Sequence, residues 1–415
     1  MKVTRVEQQA IHKNNRIWDV VDRCCLYSKN VYNEANYLVR QEFINNDKHI
    51  LSANEVQKIM QPMDCYKKCG SQAAQKTIQL IDKMWKSYFL SIKDWKKNPS
   101  KYLGMPKLPK YLKKDGRQVF MLKNVQCSIN DGLFRISYKP FKQYTVKTHA
   151  NGRLIQCRFV PKANHFVMEI VYEIEVPDTK KENNRICSID LGTENFVTMV
   201  NNIGEMPIVV KGGAIKSVNQ FYNKRKAELQ SELKRTTGND WSKRLQRLTD
   251  KRYEKIKYLM HCISKQIVGY CVLYDVDTLV IGLNKKWKQE NQQMQNFTYI
   301  PYDVFINQLK SKCEENGIQF IMTEERYTSG TSFLDNEIPI KRNYNKSRRV
   351  YRGLFISDKG IKINADVNGA YQIMKKVFPE VFNNGIEGAG LHPMQIKSHK
   401  WHMKMPMNQG FYWQN

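Results

Sequence analysis

RICSIDLG, residues 185–192, decides the fold of this chain. Its apolar core is too short for a buried helix. It is bounded by Asn183-Asn184 before and Gly192 after, the signature of a buried strand. The strand ends on an acid, Asp190, which is expensive in a sheet interior unless a metal ion or hydrogen bonds compensate it. Downstream, NFVTMVNN (195–202) and MPIVVKGG (206–213) read as antiparallel neighbours of that strand. VDTLVIG (276–282) and GIQFIMTEE (317–325) are further apolar strands, separated by the helical pattern VFINQLKSKCEENG (304–317). ADVNGAYQIMKKVF (365–378) is a helix opened by an acid. Three strands in succession, followed by strands alternating with helices, predict an α/β domain on one mixed sheet.

N-terminal to this region the pattern differs. Pro177-Asp-Thr-Lys-Lys-Glu-Asn-Asn184 is a polar boundary. Before it, VFMLKNVQCSI (119–129), LFRISYK (133–139), YTVKTH (144–149), LIQCRFVP (154–161) and HFVMEIVYEIEV (165–176) alternate with period two. Asn130-Asp131-Gly132 and Ala150-Asn151-Gly152 mark turns among them. They predict a small antiparallel barrel or sandwich. Residues from about Arg16 to Trp95 carry apolar groups at three- and four-residue spacing, as in IWDVVDRCCLYSKNVYNEANYLVRQEF (17–43), and read as helices. Ser52 and Asn54 mark one helix start. Because Met1–Val6 is also strand-like, the helical region reads as an insertion into the β-domain.

The chain has 415 residues and a formal charge of +29, from 68 Lys and Arg against 39 Asp and Glu. With 41% hydrophobic residues it is neither disordered nor collagen-like. Charge of this size opposes compaction and points to a polyanionic partner, with nucleic acid first. No stretch of 18 or more apolar residues occurs, and MKVTRVEQQAIHKNNR lacks an apolar leader core, so no membrane role and a cytoplasmic location are expected. The ten cysteines follow no disulfide framework. Cys65 and Cys69 have no second pair at ligand spacing, so reduced thiols without structural zinc are expected.

Two acids carry the chemistry. Asp190 ends the first strand of the sheet, and Asp366, in Asn364-Ala-Asp-Val-Asn-Gly369, opens the last helix. Singly, the first is a hydrogen-bonded strand residue and the second a helix-start acid favoured by the macrodipole. Together they match the way an RNase H-like nuclease holds two magnesium ions. Two such ions, roughly 3.5–4 Å apart, need several carboxylates, activate a water and stabilise the leaving oxygen.

Residues 186–376 resemble the RuvC nuclease domain of TnpB/OrfB proteins from bacterial insertion sequences, relatives of compact type V CRISPR effectors. The matching text is SIDLGTENFVT (188–198), LVIGLNKKWKQ (279–289), EERYTSGTSFLD (324–335), RVYRGLF (349–355) and INADVNGAYQIMKK (363–376), in the family's order. The resemblance implies a multidomain α+β protein. In it, 1–15 is the first strand of a wedge-like β-barrel, 16–105 a helical recognition domain, and 106–180 the rest of the barrel. A RuvC domain over 181–326 has a basic helical insertion at 218–272. A basic insert at 327–362, the last RuvC helix at 363–385 and a tail at 386–415 complete the layout.

The implied activity is RNA-guided DNA cleavage, with a guide derived from the transposon end and a short duplex motif beside the target. Guide RNA and target double-stranded DNA are the implied partners, with one or two copies of the chain per RNA left open. The same chemistry in a CRISPR effector, and a nuclease-inactive repressor, are the other readings. The location implied is the bacterial cytoplasm, on the nucleoid when bound to target.

By position Asp190 matches the first RuvC aspartate and Asp366 the last. Where many relatives have a glutamate after the strand Leu279-Val280-Ile281, this chain has Gly282, which offers no ligand. Glu325, or alternatively its neighbour Glu324, ends the next strand and is the candidate for a relocated third acid. Asp190, Glu325 and Asp366 are then the catalytic, metal-holding set for two Mg2+ ions, with Mn2+ able to substitute. Relatives carry two CxxC pairs between Thr328 and Ile363; this chain has no cysteine there, so zinc is not expected.

Four basic regions are candidate nucleic-acid contacts. Between Lys93 and Lys123 ten basic residues face two acids, and aromatic rings able to stack on bases are interleaved. The candidates there are Lys96, Lys97, Lys101, Tyr102, Lys107, Lys110, Tyr111, Lys113 and Lys114. On the 218–272 helices they are Lys224, Arg225, Arg244 and Arg247, where acids look too few for i,i+4 pairing to explain the charge. Lys285 and Lys286 follow a core strand. Arg348, Arg349 and Arg352 lie in the insert, with orientation of the active-site helix the other reading for Arg352.

Overall fold

A computed structural model describes residues 2–46, 48–176, 183–283, 300–351, 353–382 and 388–397. The chain divides into two units, residues 2–175 and residues 176–415.

In the N-terminal unit, β1 (Lys2–Ile11) is followed by α1 (Trp18–Asn45), α2 (Ala53–Met60), α3 (Asp64–Cys69) and α4 (Ser71–Lys97). The strands β2 (Phe120–Lys123), β3 (Cys127–Asn130), β4 (Leu133–Ile136), β5 (Thr145–Lys147), β6 (Arg153–Pro161) and β7 (Phe166–Glu175) come after the helices. β1 pairs antiparallel with β7 from Lys2↔Glu175 to Ile11↔Phe166. The helices are therefore inserted between the first strand of a sheet and its other members. That sheet has the order β1-β7-β6-β2, and β3-β4-β5 form a second. The expected strand over 119–129 is thus two strands in different sheets, parted by a 3-10 turn at Asn124–Gln126 that leaves Val125 exposed.

Helix α1 buries Val21, Cys24, Cys25, Tyr32, Ala35 and Val39 at the predicted spacing. Ser52 caps α2: its hydroxyl accepts from the Glu55 N–H and Glu55 answers at the Ser52 N–H, satisfying donors at the helix start. Asn54 lies inside the helix and does not cap it. Helices and strands share one core, in which Phe141 stacks on Phe159 with ring centres 5.0 Å apart. All ten cysteines are free thiols.

The C-terminal unit is built on a mixed sheet of β8 (Ile186–Leu191), β9 (Asn195–Asn201), β10 (Ile208–Lys211), β11 (Thr278–Leu283), β12 (Gln319–Glu324) and β15 (Met394–Lys397). The order is β12-β11-β8-β9-β10-β15. β9 runs antiparallel to β8 and β10, while β11 is parallel to both β8 and β12. Two helices, α5 (Gly213–Thr237) and α6 (Lys243–Leu273), separate β10 from β11 and break at Gly238, whose φ of 67° closes α5. Between β11 and β12 lies α7 (Tyr302–Glu315), and α8 (Ala365–Val377) follows a short β13 (Leu354–Ile356)–β14 (Lys362–Asn364) hairpin. β15, within the segment expected to be tail, pairs parallel with β10.

Strand pleating assigns the two faces of this sheet. Cys187, Ile189, Leu191, Leu279 and Ile281 pack with Ile256, Met260, Ile263 and Ile267 of α6 and Phe305 and Leu309 of α7. Ile186 and Val280 turn the other way, onto Val367, Ala370, Tyr371 and Ile373 of α8. Successive side chains alternate faces, so Asp190 shares a face with Ile186 and looks toward α8. Among the described residues no helix is long and apolar enough to cross a membrane.

Candidate active site

Asp190 is the fifth residue of β8, and its neighbour Ser188 on the same face donates to the Ala370 carbonyl of α8 at 2.6 Å. Helix α8 comes so close there that a Cβ at Gly369 would lie 3.0 Å from Asp190 Oδ2. A side chain at 369 would press on the carboxylate, which glycine avoids. Asp366 stands in the first turn of α8, whose start is capped by Asn364 Oδ1 accepting from the Asp366 and Val367 N–H groups. Glu325 follows β12. Its N–H donates to the Leu283 carbonyl of β11, and its own carbonyl accepts from the Thr328 hydroxyl at 2.7 Å. The sheet thus extends to Glu325, where a turn fixes the backbone.

These three carboxylates, from three elements, line one cavity of about 260 Å³ together with Asn195, Thr198 and Arg349. Burial, then the negative charges of Glu325 and Asp366, push the Asp190 carboxyl well above the usual carboxylate range, with Arg349 opposing. Tyr302 donates to the Gly192 carbonyl at 3.0 Å, and burial beside Glu325 and Asp190 raises its phenol. Glu324 projects elsewhere: it is exposed and lies 3.8 Å from Arg326.

The Gly282 position has a structural counterpart. A Cβ there would lie 2.5 Å from Ile373 Cδ1 and 3.3 Å from Glu325 Cβ. Ile373 fills the space above the glycine, and Glu325 begins beside the place a residue-282 side chain would occupy.

Asp366 is held on both oxygens. Arg349 pairs with Oδ1 at 3.0 Å and Asn195 Nδ2 donates to Oδ2 at 2.6 Å. Among the described residues no group of three or more Asp, Glu, His or Cys side chains is set to hold an ion as it stands. The three acids nevertheless suit a hard divalent cation. They are oxygen donors, and their mutual repulsion at a buried aspartate is what a cation relieves.

The basic candidates have varied surroundings. Lys96 and Lys97 are exposed in the last turn of α4. Lys101 lies 3.5 Å from Asp94, and the Tyr102 hydroxyl donates to the same Asp94 at 2.9 Å, so that phenol is tethered rather than presented. The segment bearing Lys107, Lys110, Tyr111, Lys113 and Lys114 is strapped along α1. Asn36, Tyr32, Asn33 and Lys29 donate to the carbonyls of Pro109, Lys110, Leu112 and Lys114 at 2.9–3.1 Å. All five side chains remain exposed, with the Arg40 guanidinium 5.4 Å from the Tyr111 ring centre.

On the long helices Lys224 and Arg247 are exposed, but Arg225 pairs with Glu228 and Arg244 lies 3.9 Å from Glu232. The acids there do more pairing than their number suggests, partly because α5 and α6 face each other. Arg348, expected as a nucleic-acid contact, has a side chain 14% exposed and clamped between Glu337 at 2.8 Å and Asp358 at 2.7 Å. Arg349 belongs to the acidic site. Lys285, Lys286 and Arg352 lie outside the described residues, as do Asn284 and Trp287. Asn195, Thr328 and Tyr302 were not legible as site residues, because isolated polar groups of this kind have no spacing signature.

Residues 169–288 match OrfB_IS605, described as a probable transposase, and residues 302–373 match the TNB domain of Cas12f1-like proteins. The TnpB-like protein ORF457 of Acidianus two-tailed virus is 23% identical over 397 residues, covering 86% of this chain and 83% of that protein. The fold is similar to the Cas12f1 chain of a Cas12f1-sgRNA-target DNA complex, with a TM-score of 0.53 and 15% identity, over 86% of this chain and 82% of that one.

Proposed function

We propose that this chain, which belongs to the TnpB/OrfB family, is a magnesium-dependent RNA-guided DNA endonuclease. The observation that carries the reading is the convergence of Asp190, Glu325 and Asp366 on one cavity at the edge of β8, β12 and α8. In this reading the C-terminal unit is a RuvC-type, RNase H-like nuclease, with 218–272 as its helical insertion and 327–362 as its nucleic-acid-binding insert. The N-terminal unit is the wedge and recognition part. The partners are a guide RNA from the transposon end and a target duplex bearing a short adjacent motif.

Asp190, Glu325 and Asp366 would hold two Mg2+ ions. When bound there, the ions supply water activation and charge stabilisation for in-line displacement at phosphorus. The chain's own residues do the rest. The negative charges of Glu325 and Asp366 are felt at Asp190, a repulsion that a cation would relieve. Arg349 pairs with Asp366, and its fork would match a phosphate oxygen equally well. The tethered backbone around Thr328 keeps Glu325 aimed inward.

A nuclease-inactive, RNA-guided DNA-binding protein is the second reading, motivated by Gly282. Glu325 speaks against it, because its Cβ lies 3.3 Å from where the missing side chain would begin. A compact CRISPR effector has the same chemistry and differs in where its guide is encoded. The test is cleavage of a duplex matching the co-purified RNA, with and without Mg2+. Cutting that requires Mg2+ and is lost in Asp190→Ala supports the reading; target binding by the wild type with no cutting supports the second.

A further inference from the structure

A β-bulge determines how one of the three acids is held. β9 and β10 pair in regular antiparallel register from Ile208↔Met199 to Val210↔Val197. The register then shifts, and Lys211 falls opposite Asn195 rather than Phe196. Bulges re-aim side chains in this way. Here the bulge brings Lys211 Nζ within 2.9 Å of Asn195 Oδ1. An ammonium only donates, so the amide oxygen must face it and the amide nitrogen must face away. That nitrogen donates to Asp366 Oδ2 at 2.6 Å. The reversed amide would set NH2 against an ammonium and a carbonyl against a carboxylate, two repulsions at once.

We infer that Lys211 and Asn195 form a positioning relay for Asp366. Lys211 orients the amide, and the amide fixes the carboxylate on the side opposite Arg349, so that an entering cation meets a preset oxygen pair. Neither residue touches the reacting atoms in this scheme, and both are half-buried polar side chains outside the apolar core. The inference rests on Asp366 being a cation ligand. Groups that orient metal ligands typically change metal affinity by about 10–100-fold when removed.

The test is a Mn2+ titration of the full-length protein with its co-purified RNA, followed by electron paramagnetic resonance. The Asp190→Ala protein supplies the background from ions bound to RNA. Lys211→Met and Asn195→Ala should each weaken the Asp190-dependent Mn2+ affinity by about 10-fold or more, and Lys211→Arg should retain it. The Lys211→Met/Asn195→Ala double variant should be no weaker than Asn195→Ala alone, because the lysine acts only through the amide. Melting temperatures in EDTA, unchanged within a few degrees, separate this loss from misfolding. Wild-type affinity in both single variants, or losses that multiply in the double variant, would overturn the relay. If Asp190→Ala binds Mn2+ as the wild type does, the nuclease reading fails first, and the relay with it.

Discussion

Gly282 and Glu325 act as one unit at the residue scale. A side chain at 282 would meet Ile373, and Glu325, just past the adjacent strand, brings a carboxylate to the same cavity. Glu325→Gln should lower cleavage by more than about 100-fold, the upper range seen even for groups that only orient ligands. Glu324→Gln should leave cleavage within a few-fold of wild type; equal activity in both variants would remove Glu325 from the site. Gly282→Glu alone should destabilise the unit by about 1–3 kcal/mol through overpacking against Ile373, measured by denaturant titration.

Asp190 gives a second prediction. Its carboxyl is raised by burial and like charge, so folding favours the protonated form. The resulting stability is present below the ordinary carboxylate range and is lost as pH rises through the folded-state value. Asp190→Asn should therefore melt higher than wild type in EDTA at about pH 8, with the gap closing toward pH 4. An equal or lower melting temperature at the higher pH would contradict the electrostatics. Part of this site was legible. Parity along β12 puts Glu325 on the face of Ile321, which packs with α8, and Glu324 on the face of Phe320. The Lys211–Asn195 contact was not, because a bulge leaves no mark in the alternation of β10.

The most instructive element is the strap over residues 107–114. Its carbonyls are satisfied by one face of α1, through Lys29, Tyr32, Asn33 and Asn36 at helical spacing. Those residues looked like ordinary polar members of an amphipathic helix. Their role depends on a partner some eighty positions away, which periodicity does not record. Anchoring the backbone lets Lys107, Lys110, Tyr111, Lys113 and Lys114 be presented with little ordering cost left for binding.

Asn33→Ala strands the Leu112 N–H and C=O and should cost about 1–3 kcal/mol, with faster amide exchange across the strap. Replacing Lys107, Lys110, Lys113 and Lys114 with Gln should flatten the salt dependence of RNA binding, the log–log slope falling by about 0.7–0.9 for each phosphate no longer neutralised. An unchanged slope would mean that the strap faces solvent only. The helices were legible because their apolar spacing is strong. β15 was not, since Met394–Lys397 is four residues long and pairs only because β10 lies beside it.

For the whole molecule, the count of 68 Lys and Arg overstates what is offered to a polyanion, because some of these cations are paired with acids. Arg348 and Arg349 serve the insert and the acidic site, Arg117 pairs with Asp22 at 2.8 Å, and Arg225 with Glu228. The exposed lysines of the strap and the long helices are the ones proposed to neutralise phosphates. Both units carry such residues, which suits a protein that holds an RNA and a DNA together. On the proposed reading, a bound RNA directs the acidic site to DNA. The direct measurement is to sequence the RNA that co-purifies with the full-length protein, build a duplex that matches it beside a randomised flank, and follow cutting in Mg2+. Sequence-directed cleavage by wild type and none by Asp190→Ala, with target binding kept in both, is the expected result. A protein that carries no RNA, or an Asp190→Ala variant that still cuts, would contradict it.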